Sequence, residues 1–276
     1  RQRQMCIRDS VILSLLVLSG CATNKSLQTL RDVNISPELQ ESPIKERLAA
    51  VPPIDGPKIT IAVYQFLDKT GQRKSATNIA SLSSAVTQGS EVWVIKALQD
   101  VGNGTWFDVV ERVGMDNLIK ERQLIRQTRD VYDKSKPGGP EPLSPMIFAG
   151  LILEGGVVGY DSNTATGGAG ARYLGVGIQT EYRIDTVTVV MRLVSVGTGK
   201  VLMSIATDKT IASYRSGADV FKFLDLGTKL VETETGFSSN EPVNYAVRAA
   251  IEQGVIELVY GGVKKQLWKM ELKQEE

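Results

Sequence analysis

The sequence contains no histidine among its 276 residues and only two cysteines, Cys6 and Cys21, both near the amino terminus. Without histidine, neither a Ser-His-Asp nor a Cys-His nucleophile can be assembled, and zinc and haem sites that use histidine ligands are excluded as well. No spacing of carboxylates, lysines or serines favours another catalytic arrangement. We therefore expect a protein that is not an enzyme and that has no metal site and no cofactor.

The chain also lacks an excess of charge of either sign, since 32 Lys and Arg residues oppose 31 Asp and Glu residues. Proteins that bind nucleic acid usually carry a basic surplus, so we expect no nucleic-acid partner. The hydrophobic fraction of 42% is ordinary for a chain that buries a core, and the length allows one large domain or two modest ones.

The amino terminus has the pattern of a secretory signal. Arg8 precedes an apolar run over residues 11–18, and small residues follow before Cys21, an order that is typical of a signal peptide. The run is too short to span a bilayer as a helix, which requires ~20 apolar residues, but a buried strand or helix is an alternative interpretation. We expect a signal peptide over residues 1–20. Because the chain opens with Arg1 and not with methionine, we expect the sequence either to be a fragment or to carry a spurious extension over its first ten residues.

The string Leu18-Ser19-Gly20-Cys21 resembles the bacterial lipobox, in which the cysteine thiol is joined to diacylglycerol and the new amino terminus is acylated. Several acyl chains anchor a protein firmly, because each buried methylene contributes ~0.8 kcal/mol. Ala22 follows Cys21, and the absence of aspartate there implies, by likeness to Gram-negative sorting, a lipid anchor in the outer membrane. Residues 21–58 carry five prolines and are expected to form an extended tether that leaves the body in the periplasm.

The body alternates strand and helix patterns. Strands are predicted over 59–66, 106–110, 151–158 and 186–196, and a turn over 197–200 leads into a further strand over 201–210. Helices are predicted over 85–98, 115–129 and from about 240 to 259, the last one capped by Asn240. The apolar residues expected to face the core are Val86, Val92, Ile95 and Leu98 in the first helix, and Met115, Leu118, Ile119 and Leu124 in the second. The fold class is therefore α/β.

In two stretches, apolar and polar residues alternate with a period of two, and these stretches do not fit into the α/β body. In the first, the apolar face is formed by Leu174, Val176, Ile178, Thr180, Tyr182 and Ile184, and in the second by Val231, Thr233, Thr235 and Phe237. Their length matches the ~9–11 residues of a tilted transmembrane strand. A soluble sheet with one wet face gives the same alternation. Because an open sheet edge in lipid costs several kcal/mol for each unpaired group, spanning hairpins would have to share one barrel among many copies.

Several short strings resemble a known family in the right order. They are Val63-Tyr64, Thr70-Gly71-Gln72, Glu121-Arg122, Gly159-Tyr160-Asp161-Ser162-Asn163, Gly170-Ala171-Arg172-Tyr173-Leu174-Gly175, Val220-Phe221 and Ser239-Asn240-Glu241-Pro242. The most specific are those with Arg172 and Tyr173 and with Asn240, Glu241 and Pro242. On these residues the chain resembles the curli secretion channel lipoproteins of the CsgG family over nearly its whole mature length.

The resemblance implies a homo-oligomeric ring of nine lipoproteins, whose hairpins pool into one wide β-barrel above an α/β periplasmic domain. It also implies that unfolded curli-type amyloid subunits pass outward without nucleotide energy, assisted by a periplasmic cap protein and a surface nucleator. In the family, a loop between the first strand and the first helix narrows the channel with Tyr, Asn and Phe side chains. Here that loop covers residues 71–88, which contain no aromatic residue. The resemblance aligns Ser81 with the Asn and Leu82 with the Phe, and it places the Tyr position within residues 76–78, of which we take Asn78.

The chain is expected to begin with a signal peptide over 1–20 and a lipidated cysteine with its tether over 21–58. The first part of an α/β (α+β) periplasmic domain then covers 59–163. It is followed by a first transmembrane hairpin over 164–184, a periplasmic hairpin over 185–211, a second transmembrane hairpin over 212–237 and a C-terminal helical part over 238–276. The leading hypothesis is an export pore that unfolded polypeptide crosses by diffusion. Two alternatives stay open, namely a lipoprotein of the same family that anchors a surface adhesin or holdfast, and a monomeric periplasmic lipoprotein that regulates an envelope enzyme.

Overall fold

The computed structural model describes residues 39, 41–72, 86–132, 141–167, 180–216, 222–225 and 242–271. All the helices and strands described lie in the larger of two compact units, Ser42–Glu276.

The described residues form one six-stranded sheet with the order β2-β1-β3-β4-β5-β6. Its strands are β1 (Ile59–Asp68), β2 (Phe107–Val110), β3 (Leu151–Gly167), β4 (Thr180–Ser195), β5 (Val201–Ser216) and β6 (Lys222–Asp225). β1 is parallel to β2 and to β3, whereas the pairs β3–β4, β4–β5 and β5–β6 are antiparallel. The sheet therefore has a mixed half and a longer antiparallel half.

The described helices are α1 (Lys45–Ala49), α2 (Ser90–Asp100), α3 (Met115–Tyr132) and α4 (Pro242–Lys264), with a short 3-10 turn over Val101–Gly104 after α2. α2 packs on β1 and on α4, and α4 packs on β4 and β5. None of the helices in the described part of the chain is both long enough and apolar enough to cross a membrane.

The core lies between one face of the sheet and helices α2 and α4. Along β4 every second residue is buried, and these residues are Asp185, Val187, Val189, Met191 and Leu193. The four apolar residues among them belong to one cluster with Ile251, Val255 and Leu258 of α4. The alternation follows from the β-strand, in which successive side chains point to opposite faces, and it confirms the strand predicted over 186–196.

The structure also confirms the turn predicted over 197–200, which lies between β4 and β5. Ser195 N–H donates to the Lys200 carbonyl at 2.9 Å, and Gly199 N–H donates to the Ser195 carbonyl at 2.8 Å. Gly199 has φ 67°, a conformation that glycine adopts without the penalty that a Cβ would bring. The chain reverses here and sends β5 back along β4 as far as Ser216.

An aromatic cluster closes the end of the body at the C-terminus of α4. Trp268 packs edge-on against Trp106 and Phe107, with ring centroids 6.2 Å apart in each pair. Its Nε1 donates to the Val259 carbonyl at 2.9 Å, and Trp106 Nε1 donates to the Pro52 carbonyl at 2.9 Å. A Cβ on Gly262 would overlap the Trp268 ring, so this helix residue has to be glycine for the indole to fold back.

Two predictions about inward faces are wrong. No residue of α3 is buried, and Ile119 and Leu124 are 41% and 56% exposed. The reason is that α3 does not pack on the sheet. It is bound to the extended segment 141–149, with Arg122 donating to the Ser144 carbonyl at 2.6 Å and Arg129 to the Glu141 carbonyl at 2.7 Å.

The helix predicted over 85–98 begins at Ser90, so Val86 lies before it. Val94, Ala97 and Leu98 are buried there, but Val92 is 60% exposed, so the prediction that Val92 faces inward is also wrong. The last helix runs to Lys264, about one and a half turns beyond the predicted end. Its predicted cap, Asn240, lies outside the described residues.

Candidate functional site

The antiparallel half of the sheet extends past its own core. β1 ends at Asp68, opposite Val157 of β3, whereas the β3–β4 ladder continues to Gly167 paired with Thr180. At ~3.4 Å per residue, residues 159–167 reach about 30 Å beyond that point. Asp161, Ser162 and Asn163 are exposed, so the side chains that are described on β3 beyond Tyr160 face solvent.

This extension has an unpaired edge on each side. Within the described residues, no strand pairs with β3 beyond Val157 on the side of β1, and none pairs with β6 on the side away from β5. Each such edge presents a row of backbone N–H and C=O groups that can pair with another strand. Because β3, β4, β5 and β6 alternate in direction, β6 of one copy would lie antiparallel to β3 of the next.

A buried polar network lies at the base of the extension. Tyr160 Oη donates to Asp185 Oδ1 at 3.1 Å, while Arg183 donates through Nε to Asp185 Oδ1 at 3.0 Å and through its other nitrogen to Tyr160 Oη at 2.9 Å. Arg183 Nε also lies 3.0 Å from Ser162 Oγ. Asp185 is only 1% exposed, so its charge depends on these donors for stabilisation.

The ionisation of Tyr160 is consistent with its role as a donor. Burial, and next the negative charge of Asp185, raise the pKa of Tyr160 above its ordinary value, against the opposing effect of Arg183. The phenol therefore keeps its proton throughout the physiological range. The sequence alone does not reveal this network, because Tyr160 and Asp185 are 25 residues apart and come together only through the alignment of two adjacent strands.

The base of the loop 71–88 is closed by hydrogen bonds. Asp68 Oδ1 accepts from the Thr70 backbone N–H at 2.9 Å and from Thr70 Oγ1 at 2.7 Å, and its Oδ2 accepts from Gln88 Nε2 at 3.2 Å. Lys69 N–H donates to the Val157 carbonyl at 2.8 Å. The loop therefore leaves and re-enters the body at the level where the sheet extension begins.

Most of the residues predicted for the site lie outside the described residues. These are the lipid-anchor residue Cys21, the loop residues Asn78, Ser81 and Leu82, the strand residues Leu174, Val176, Ile178, Val231 and Phe237, and the motif residues Arg172, Tyr173, Asn240 and Glu241. Of the others, Tyr182 and Ile184 lie on β4, where Ile184 is 41% exposed, and Pro242 is the first residue of α4. Among the described residues there is no group of three or more His, Cys, Asp or Glu that could hold a metal ion.

Comparison with known proteins identifies the family. Residues 47–276 match the family described as "Curli production assembly/transport component CsgG". The chain belongs to the CsgG family. It is 37% identical over 263 residues to the CsgG component of Salmonella typhimurium, covering 95% of this chain and 91% of that protein, and 37% identical over 265 residues to the component of Escherichia coli strain K12, covering 96% and 92%.

A more distant relative is HfaB of Caulobacter vibrioides, 27% identical over 214 residues, which are 72% of this chain and 60% of that protein. Among solved structures, a PelC dodecamer from Paraburkholderia phytofirmans shares 17% identity over 61% of this chain and 79% of that chain, at a TM-score of 0.23. The family resemblance predicted from the short motifs is thus confirmed by identity along almost the whole chain. The mixed α/β body of the described residues is also as predicted.

Proposed function

We propose that this protein is an outer-membrane lipoprotein that forms an oligomeric β-barrel pore and exports unfolded curli-type amyloid subunits by diffusion. Cys21 carries the lipid anchor, and the α/β body lies in the periplasm. Of the tether predicted over 21–58, residues 42–58 belong to the body, where Leu48, Val51 and Ile54 are buried in the core, so the proposed tether is 21–41. The hairpins over 164–184 and 212–237 cross the membrane, and copies of the chain, nine by likeness to the family, complete one barrel. Family membership supports the role in curli production and transport and a location in the cell envelope.

The observation that carries this proposal is the sheet extension with its two unpaired edges. A lone copy placed in lipid would leave the N–H and C=O groups of both edges without partners, at several kcal/mol for each group. A ring removes both edges at once, because β6 of each copy completes the ladder beside β3 of its neighbour. A monomer in water would instead have to protect these edges, and exposed charge on Asp161 is the main described feature that does so.

The loop 71–88 is proposed to narrow the passage where the periplasmic body meets the barrel. Its two ends are joined at Asp68, next to the last β1–β3 pair, so each copy would place one such loop at the same height in a ring. Asn78, Ser81 and Leu82 would then form rings of side chains around the passage. Leu82 supplies an apolar ring where the family has an aromatic one, which leaves the cargo open within the class of unfolded subunits.

Transport through such a passage needs no bound nucleotide. Confining a chain costs conformational entropy, on the order of 1–2 kcal/mol for each residue whose backbone is fixed. A periplasmic cap protein that traps the subunit below the pore offsets part of this cost, and a surface nucleator withdraws the product on the other side. These two partners, the unfolded polypeptide and the lipid of the outer membrane are the interactions that the proposal requires.

Planar-bilayer conductance of the purified oligomer tests the proposal. The wild-type protein should open large, stable channels, and Leu82→Trp should lower their conductance because it adds a bulky ring at the narrowest point. Leu124→Trp is the matched control, since Leu124 is 56% exposed on α3 and should leave the conductance unchanged. If the wild-type protein conducts nothing, the pore is refuted, and if Leu82→Trp matches the wild type, Leu82 does not line the constriction.

A secretion assay distinguishes a conduit from a scaffold. It uses cells that make an amyloid-type subunit and carry this protein as their only curli secretion component. A conduit should release an amyloid-type subunit into the medium, whereas a lipoprotein that anchors a surface adhesin should not. Gel migration of unheated samples tests the alternative that the protein is a monomeric regulator. A shared barrel should resist SDS and run as a large species that boiling converts to monomer.

A further inference from the structure

β3 contains one extra residue at the point where it leaves the core. Val157 pairs with Val189, but the next pair in the ladder is Gly159 with Thr188, so Val158 has no partner on β4. This is a β-bulge, in which two residues of one strand oppose a single residue of the other. Val158 is 45% exposed and lies beside the end of β1.

The bulge decides which face each later residue of β3 occupies. With Val158 outside the ladder, Tyr160 pairs with Val187 and Ser162 with Asp185, and these partners belong to the buried face of β4. If the ladder continued without a bulge, Tyr160 would be opposite Thr186 and every following residue of β3 would move to the other face. A shift of one residue in a strand always exchanges its faces.

The hydrogen bonds of Tyr160 and Ser162 exist only in the bulged register. Tyr160 Oη reaches Asp185 at 3.1 Å and Ser162 Oγ reaches Arg183 at 3.0 Å because all four side chains share one face. Without the bulge, Tyr160 and Ser162 would point away, and the carboxylate of Asp185, 1% exposed, would lose the phenol donor. Arg183 lies on the same strand as Asp185 and would still donate to it, but losing one of the hydrogen bonds to a buried charged group is costly.

Apart from the burial of the Tyr160 ring in the core cluster, no other described feature fixes the register of residues 159–167. Below the bulge, the buried residues Leu153 and Val157 hold β3 in place against the core. Above it, Asp161, Ser162 and Asn163 are exposed, and the hairpin that follows is rich in glycine. A strand without a buried apolar face specifies its register weakly.

We propose that Tyr160, Arg183 and Asp185 hold the bulge at Val158 and thereby select which face of the hairpin 164–184 turns toward lipid. They are positioning residues for the pore wall, and this inference rests on the proposed function of the hairpin. In the bulged register Ala165 pairs with Tyr182, one of the residues predicted to face the membrane. In the register without a bulge Ala165 would pair with Glu181.

Cysteine pairs report the register directly, because no native cysteine lies after Cys21. Ala165→Cys with Tyr182→Cys tests the bulged register, and Ala165→Cys with Glu181→Cys tests the register without a bulge. Residues directly opposite in an antiparallel pair have Cα atoms about 4.5–5.5 Å apart, within the range of a disulfide, whereas residues on opposite faces cannot be bridged. The detergent-extracted full chain is reduced, then oxidised with oxidised glutathione, and the cross-linked peptides are quantified by mass spectrometry.

In the otherwise wild-type chain, the 165/182 pair should cross-link and the 165/181 pair should not. Tyr160→Phe and Asp185→Asn should each raise the ratio of 165/181 to 165/182 cross-linking by about tenfold or more, since each removes a hydrogen bond that involves a charged group. Deletion of Val158 is the control for the bulge itself: Gly159 then follows Val157 directly and still pairs with Thr188, so this variant should give the 165/182 product alone. Arg192→Gln is the matched negative control, because it breaks the exposed Arg192–Glu154 ion pair of 3.1 Å on the same two strands below the bulge and should change nothing.

The inference is overturned if Tyr160→Phe and Asp185→Asn both keep the 165/182 product only. It is also overturned if both variants lose the two products together, since the network would then support folding and not register. The readout is made within one chain, so it does not depend on ring formation. A monomeric protein that still shows the change of register would refute the pore and leave the role of the network standing.

Discussion

Arg248 and Glu252 form a buried ion pair on α4. Each residue is 3% exposed, and Arg248 Nε donates to Glu252 Oε1 at 2.9 Å. Ser42 Oγ donates to Glu252 Oε2 at 2.8 Å, and the Arg248 guanidinium lies 4.5 Å from the centre of the Trp93 ring. Arg248 Nη1 is buried with no hydrogen-bond partner among the described residues. Glu252 is therefore the group that compensates the arginine charge, and it also holds Ser42, the first residue of the body, against α4.

We predict that Glu252→Ala destabilises the body by about 3–5 kcal/mol, because it leaves the charge of Arg248 buried without a carboxylate. For a domain of this size, each kcal/mol corresponds to about 2–4 °C, so Tm should fall by about 6–20 °C. Asp100→Ala is the matched control. It breaks the Lys96–Asp100 pair, which has the same i,i+4 spacing but side chains that are 55% and 35% exposed, and it should cost about 0.3–0.5 kcal/mol, or at most about 2 °C.

The assay is thermal unfolding of the detergent-extracted full chain, followed by circular dichroism at equal protein concentrations. A double variant, Arg248→Met with Glu252→Leu, separates the loss of the pair from the stranding of a charge, because apolar residues of similar volume often replace a buried pair at little cost. Its Tm should stay within about 3 °C of the wild type. Equal shifts for Glu252→Ala and Asp100→Ala, or a double variant as unstable as Glu252→Ala, would refute the reasoning.

Three further predictions follow from the same structure. Burial raises the pKa of Glu252 above its ordinary value of 4.5, against the hydrogen bond from Ser42 and the charge of Arg248. The part of the stability that comes from this pKa shift is therefore complete below pH 4.5 and is lost as pH rises through the higher folded value, while the ion pair with Arg248 remains. The Tm of the wild type relative to Glu252→Gln should accordingly fall as pH rises above 4.5, and a difference independent of pH would contradict this. Asp68→Ala frees both ends of the loop 71–88 and should increase the current noise of open channels, whereas Asp208→Ala, at an exposed position on β5, should not. Cys21→Ala should remove the protein from the outer-membrane fraction, and unchanged fractionation would disprove the lipid anchor.

The sequence was sufficient for those elements whose burial repeats along one segment. β4 was predictable because its apolar residues alternate over a β-branched run, and the turn at Gly199 because its residues favour chain reversal. The same reasoning failed for α3. An apolar stripe shows that one face of a helix contacts another part of the protein, but it does not show which part. Here α3 covers the short segment 141–149 and none of the sheet, which local periodicity cannot reveal.

The candidate site was predictable in outline and not in its supporting interactions. Alternation in residues 174–184 pointed to strands outside the core, and β4 does begin at Thr180 and pass into the core. The network of Tyr160, Arg183 and Asp185 was missed because it depends on the single extra residue Val158. A bulge changes the pairing of two distant segments without leaving a periodic signal in either one.

Electron microscopy of detergent-extracted protein, purified without boiling, tests the central claim most directly. The sheet edges of β3 and β6 predict closed rings of identical subunits with a central opening, and these rings should survive in SDS until they are heated. A field of single, water-soluble subunits would contradict the claim, because each copy would then tolerate its open edges without a neighbour.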